Sequence, residues 1–159
     1  MAEPLNAAQD FDLEGFLPYL LNQAAEVTSQ SFQTVYRRDH GMTRTQWRVL
    51  ANLGKFGAMS ATEICRISHM DKTKVSRAVA AMEAQGLLLR APDKDDRRAE
   101  VLSLTTDGRR LFGALGAKAI AFDHDLRQRL GSEQAALLAD ALRRLIALQD
   151  GPGAAKDAL

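Results

Sequence analysis

The chain has 159 residues, 46% hydrophobic and 26% charged, which suits one ordinary soluble domain with a real core and argues against a multi-domain enzyme. Its 21 Lys and Arg nearly balance 20 Asp and Glu, so total charge points to no anionic partner, yet residues 44–110 hold 13 basic against 8 acidic side chains and the remainder 8 against 12. A single cysteine, Cys65, excludes an internal disulfide and a four-cysteine zinc site, and the absence of a basic leader or of any apolar stretch near ~18–20 residues predicts a cytoplasmic protein away from membranes.

Residues 1–10 and 151–159 are small, polar or Gly/Pro-containing and are expected to be flexible tails. From Leu13 the apolar positions Leu13, Phe16, Leu17, Leu20, Ala24, Val27 and Val35 recur with the period of one helix face, which predicts a long helix ending near Gly41. Pro18 lies inside that pattern and marks either its start or a kink. Two capping boxes follow: Thr43 with Gln46 opens a helix reaching about Lys55, and Ser60 with Glu63 opens a short one ending near Ser68. Asp71 is a good N-cap for a fourth helix, and Gly86 supplies its stop.

The period then changes. Leu87 to Arg90 and Glu100 to Leu104 are short strand-like runs around the turn-rich, charged residues 91–99, which reads as a β-hairpin with a long tip. Beyond Thr105, Leu111, Leu115, Ala119, Phe122, Leu126 and Leu130 form another helical stripe. Gly131 and Ser132 separate it from Leu137, Leu138, Ala141, Leu142, Leu145 and Leu148, so the fifth and sixth helices are expected to be antiparallel neighbours.

The fold class is therefore mainly α with a small β-hairpin wing. Residues 43–105 form a winged helix-turn-helix, flanked by long terminal dimerisation helices over residues 11–42 and 106–150. One small lobe cannot cover three long apolar helix faces, and a second copy can. Gly113 and Gly116, each unfavourable in a helix, either allow close helix approach there or are simply tolerated.

In a winged helix-turn-helix the second helix of the pair enters the major groove. At 100° per residue, Val75, Val79 and Met82 share one side, and Thr73, Lys74, Ser76, Arg77 and Ala80 fall opposite or beside it. Lys72 and Lys74 suit phosphates, Thr73 and Ser76 suit phosphates or base edges, and Arg77 can fork onto a guanine. The hairpin tip carries Arg97 and Arg98, which suit a narrow minor groove, and Asp95 is placed to orient Arg97. The partner is double-stranded DNA.

Residues 95–108, Asp-Asp-Arg-Arg-Ala-Glu-Val-Leu-Ser-Leu-Thr-Thr-Asp-Gly, resemble the wing signature of the MarR family of bacterial transcriptional regulators. Asp71 to Val79 is similar to that family's recognition helix, and Gln46-Trp47-Arg48-Val49-Leu50 to its second helix. The resemblance runs from about Leu13 to Leu148. It implies a homodimer on a pseudo-palindromic operator, with repression relieved by a ligand. It also implies a site for a small aromatic or phenolic anion between dimer helices and winged lobe, for which Tyr36, His40, Arg44 and Trp47 are the candidates. Aromatic walls plus a cation suit an aromatic acid or its thioester. The plainer reading makes Trp47 a core anchor and leaves the others on the surface.

Competing readings are a winged-helix protein-interaction module and a redox-responsive regulator acting through Cys65. The thiol, beside Ile64 and Ile67 in a short helix, is expected to be buried and inert. No enzyme is expected: His40, His69 and His124 are isolated, no phosphate-cradling glycine motif occurs, and Asp93, Asp95 and Asp96 do not make a calcium loop. No cofactor is expected either.

Overall fold

A computed structural model describes residues 11–94 and 99–149. It places six helices and two strands in the order expected: α1 (Leu17–His40), α2 (Arg44–Phe56), α3 (Ala61–Ser68), α4 (Lys72–Ala84), β1 (Leu88–Pro92), β2 (Glu100–Leu104), α5 (Thr106–Leu130) and α6 (Ser132–Gln149). The expected tails at 1–10 and 151–159 lie outside the described residues.

Helix boundaries follow from who satisfies the orphan backbone groups. Pro18 falls in the first turn of α1, where no N–H is missed, so the helix starts beside it and Leu13 and Phe16 precede it. At the far end Gly41 is left-handed, φ +62°, and its N–H donates to the Arg37 carbonyl at 2.9 Å. Both capping boxes form. The Thr43 hydroxyl accepts from the Gln46 N–H at 3.2 Å while Gln46 Oε1 accepts from the Thr43 N–H at 2.8 Å. Ser60 and Glu63 repeat this at 3.2 and 2.7 Å. The N-cap Asp71 Oδ1 accepts from the Lys74 N–H at 3.0 Å. Beyond α4 the Gly86 N–H reaches Glu83 O and the Leu87 N–H reaches Met82 O, each at 2.9 Å, with Gly86 at φ +69°. That paired arrangement turns the chain sharply from helix into wing.

The strands pair antiparallel from Leu88 with Leu104 to Pro92 with Glu100, and one further bond, Asp93 N–H to Ala99 O at 2.8 Å, lies beyond the last pair. Met59, in the loop between α2 and α3, exchanges two backbone hydrogen bonds with Leu102, at 3.1 and 2.9 Å. The chain forms two compact units, one extending to Gly116 and one starting at Ala117. The first is built on Val49, Leu50, Ile64, Val75, Val79, Met82, Leu88 and Leu102, all fully buried. Thr105 seats the start of α5: its hydroxyl donates to Gly86 O at 2.7 Å and accepts from the Gly108 N–H at 3.0 Å.

In the second unit Gly131, φ +92°, separates α5 from α6. Leu126 and Leu130 face Ala135, Leu138 and Leu142 across a groove of about 140 Å³, so the two helices meet nearest their turn. Ile120, Leu137, Ile146 and Leu148 are exposed, as are Leu17, Leu20 and Val27 of α1. Nothing lies close to the positions a Cβ would take at Gly113 and Gly116. Among the described residues no helix is long and apolar enough to cross a membrane.

Candidate nucleic-acid interface

The division of α4 expected from its period is realised. Val75, Ala78, Val79 and Met82 are buried, and Lys72, Thr73, Lys74, Ser76 and Arg77 are all exposed on its N-terminal half. Burial of the valines and Met82 fixes the helix's rotation, so the exposed set is held as a group and not as separate flexible chains. Asp71 caps the same end, where the helix dipole is positive.

What sets the angle of α4 lies on α2. Arg48 Nη2 donates to the Ser68 carbonyl at 2.6 Å, and Asn52 Nδ2 donates to Ser68 Oγ at 2.8 Å and to the Arg48 carbonyl at 2.7 Å. This pair holds the last turn of α3, from which the chain turns into α4. His69 makes that turn in the left-handed conformation, φ 48°, and the His69 and Met70 N–H groups both return to the Cys65 carbonyl. On the other side, Arg90 of β1 donates to Glu83 of α4 at 2.9 Å and to Glu100 of β2 at 3.1 Å, fastening the wing to the helix. The Glu100 and Glu83 carboxylates raise the Arg90 pKa against a smaller opposing effect of burial. Neither Arg48, Asn52 nor Arg90 was singled out from sequence for these roles. The only signal was the four-residue spacing of Arg48 and Asn52, which puts two polar groups on one side of an otherwise core-facing helix.

Asp95, Arg97 and Arg98 lie outside the described residues, and so does the expected Asp95–Arg97 pair.

The effector candidates separate. Tyr36 is 1% exposed and stacks on Trp47 with centroids 6.0 Å apart at 16°. Phe32, which sequence reasoning missed, meets both rings edge-on at 5.6 and 5.4 Å. Burial pushes the Tyr36 phenol pKa up, with the Arg44 charge opposing it. Arg44 donates to Ser29 Oγ at 2.7 Å and to Glu26 at 2.8 Å, and the bond to Glu26 is the main reason the Glu26 pKa is lowered. His40 ends α1 and is exposed. Cys65 departs from expectation: it is half-buried, because the side of α3 turned to the core is the one carrying Ile64 and Ser68, while Ile67 is exposed.

A family model described as the MarR family matches residues 40–99. The solved structure of the MarR family transcriptional regulator SPO1453 from Silicibacter pomeroyi DSS-3 is 35% identical, covers 87% of this chain and 98% of its own, and superposes with a TM-score of 0.76. The HTH-type transcriptional regulator FarR of Neisseria gonorrhoeae is 25% identical over 130 residues, 82% of this chain and 88% of that protein. The homoprotocatechuate degradative operon repressor of Escherichia coli is 25% identical over 142 residues, 86% of this chain and 95% of that protein.

Proposed function

The chain belongs to the MarR family of transcriptional regulators, and on that premise we propose that it is a homodimeric, sequence-specific DNA-binding repressor released by a small aromatic or phenolic ligand. It acts by binding in the cytoplasm and not by catalysis. The observation that carries this reading is α4: a helix locked in rotation by Val75, Val79 and Met82 that offers Lys72, Thr73, Lys74, Ser76 and Arg77 together. Cations and short hydroxyls at the N-terminal half of a recognition helix are what phosphates and base edges require. Arg97 and Arg98 extend the contact into the adjacent minor groove, and Asp95 orients Arg97. Exposed Leu17, Leu20 and Val27 on α1, and Ile120, Ile146 and Leu148 on α5 and α6, supply the apolar surface for a second copy. Two copies related by a two-fold axis read a pseudo-palindromic operator.

Arg77→Ala is expected to cost about 1–3 kcal/mol of operator affinity and to relax base preference at one position in each half-site. Arg97→Ala is expected to weaken binding as well. Fluorescence anisotropy on a selected duplex and its single-base variants measures both. Unchanged affinity and preference in both variants would mean that the docking is misassigned.

The effector enters beside Trp47 and Arg44, with Tyr36 behind them and His40 at the adjoining end of α1. The stacked rings support an aromatic ligand, and Arg44 meets its carboxylate or thioester by exchanging its Glu26 partner for the ligand. The name of the E. coli relative, repressor of a homoprotocatechuate degradative operon, supports the same chemistry. A panel of phenolic and aromatic acids and their thioesters is expected to include one that releases the duplex. A panel that leaves affinity unchanged contradicts the effector assignment.

A further inference from the structure

A cleft of about 220 Å³ lies between the start of α2 and the turn ahead of α4, and Arg44, Arg48, His69, Asp71 and Lys74 are on its wall. Three of these five carry a full positive charge, and their charges are unequally met. Arg44 is neutralised by Glu26 at 2.8 Å. Arg48 is half-buried, and among the described residues its guanidinium donates to a neutral carbonyl, Ser68 O, and pairs with no carboxylate. Burial first, and the Arg44 charge second, pull the Arg48 pKa down from its ordinary value, as expected of a cation held near another cation without a carboxylate. The Lys74 ammonium has no ion-pair partner among the described residues, and the Asp71 carboxylate on the same wall uses one oxygen to accept from the Lys74 backbone N–H as the helix cap. Lys74 is exposed and Arg44 is paired, so the cost falls on Arg48: a half-buried guanidinium whose described donor contact is to a neutral carbonyl gains if an anion joins it.

We propose that this cleft clamps one backbone phosphate of the bound duplex, with Arg48 and Lys74 as the charge partners and Arg44 and His69 beside them. The assignment rests on the DNA-binding reading above and adds a contact outside α4. A phosphate fits for three reasons. A guanidinium presents parallel N–H donors that match two phosphate oxygens. Lys74 belongs both to the cleft wall and to the exposed first turns of α4, so a strand lying against Lys72 and Thr73 passes the cleft mouth. The N-terminal end of α4 adds a positive field at the same place. A free phosphate ion has the same chemistry, and the experiment separates the two sources.

Duplex affinity is measured from low to moderate KCl for the unmodified chain, Arg48→Gln and Thr45→Glu. Arg48→Gln removes the charge and retains a donor for Ser68 O. Thr45→Glu leaves the Arg48–Asn52–Ser68 bonds intact and puts a carboxylate on the cleft wall. Both variants are expected to bind about tenfold more weakly, by the same factor on specific and unrelated duplexes. Arg48→Gln is expected to lower the slope of log affinity against log salt by about 0.9, one phosphate's worth. Thr45→Glu is expected to melt at the temperature of the unmodified chain, which keeps the test open if Arg48→Gln folds poorly. A steep parental slope that both folded variants retain, at parental affinity, overturns the clamp while leaving DNA binding in place. A flat parental slope overturns the DNA-binding reading itself. Saturable stabilisation of the unmodified chain by inorganic phosphate, combined with unchanged duplex binding in Arg48→Gln, would assign the cleft to a free anion and also overturn the proposal.

Discussion

His69 shows what one residue decides. It is left-handed at φ 48°, a conformation that costs an L-residue with a Cβ roughly 1–2 kcal/mol, and it sits where α3 must end for α4 to begin. His69→Gly is therefore expected to raise stability by up to about 1 kcal/mol, less what the more flexible unfolded chain takes back, measured by chemical denaturation. A clear loss would show that the imidazole makes a contact of its own. Glu63 makes the second residue-scale case. Hydrogen bonds from the Ser60 N–H and hydroxyl lower its pKa, so as pH falls the unfolded chain binds the proton first. The capping contribution is present above the ordinary carboxylate range near 4.5 and disappears as pH drops through the native value. Glu63→Gln keeps the reciprocal cap, as Gln46 does in α2, and is expected to flatten the acid limb of a stability profile between about pH 5 and 3. An unchanged limb would assign the acid sensitivity to other carboxylates. The caps at Thr43, Ser60 and Asp71 were legible in sequence because donor and acceptor lie within three residues. The left-handed turn was not, since nothing local in a histidine specifies it.

At the scale of elements, the wing's signature has a steric cause. A Cβ on Gly108 would collide with the Leu87 carbonyl oxygen, and Thr105 bonds Gly86, so the first turn of α5 presses directly on the turn that joins α4 to β1. Gly108→Ala is expected to destabilise by about 1–3 kcal/mol in urea unfolding, and to do so more than Gly113→Ala, where the added methyl meets open space in the single chain. Equal effects would contradict this packing. Element types and order were readable because each carries its own period and stop signal, down to the pair of short strands around residues 91–99. The bonds that orient the elements were not readable. Arg48 and Ser68 are 20 residues apart, and Arg90 reaches 7 residues back to Glu83 and 10 forward to Glu100, so those bonds exist only once helices and hairpin have crossed at a given angle. Met59 joins β2 as a single residue and leaves no alternating pattern to detect. Tyr36 and Trp47 were expected singly, as walls of a ligand site; their stacking on each other, completed by Phe32, is a core contact that sequence did not show.

For the molecule as a whole, charge and apolar surface point to different partners. In the proposed reading the basic residues of the winged region meet a duplex, and the exposed leucines and isoleucines of α1, α5 and α6 meet another copy of the chain. A two-fold dimer of this kind places its recognition helices one turn of DNA apart, about 34–36 Å. The direct measurement is a hydroxyl-radical footprint on a duplex selected by the protein from a random pool. Two equivalent protected blocks with centres about 10–10.5 base pairs apart are expected. A single block, or no selected duplex at all, would contradict the account.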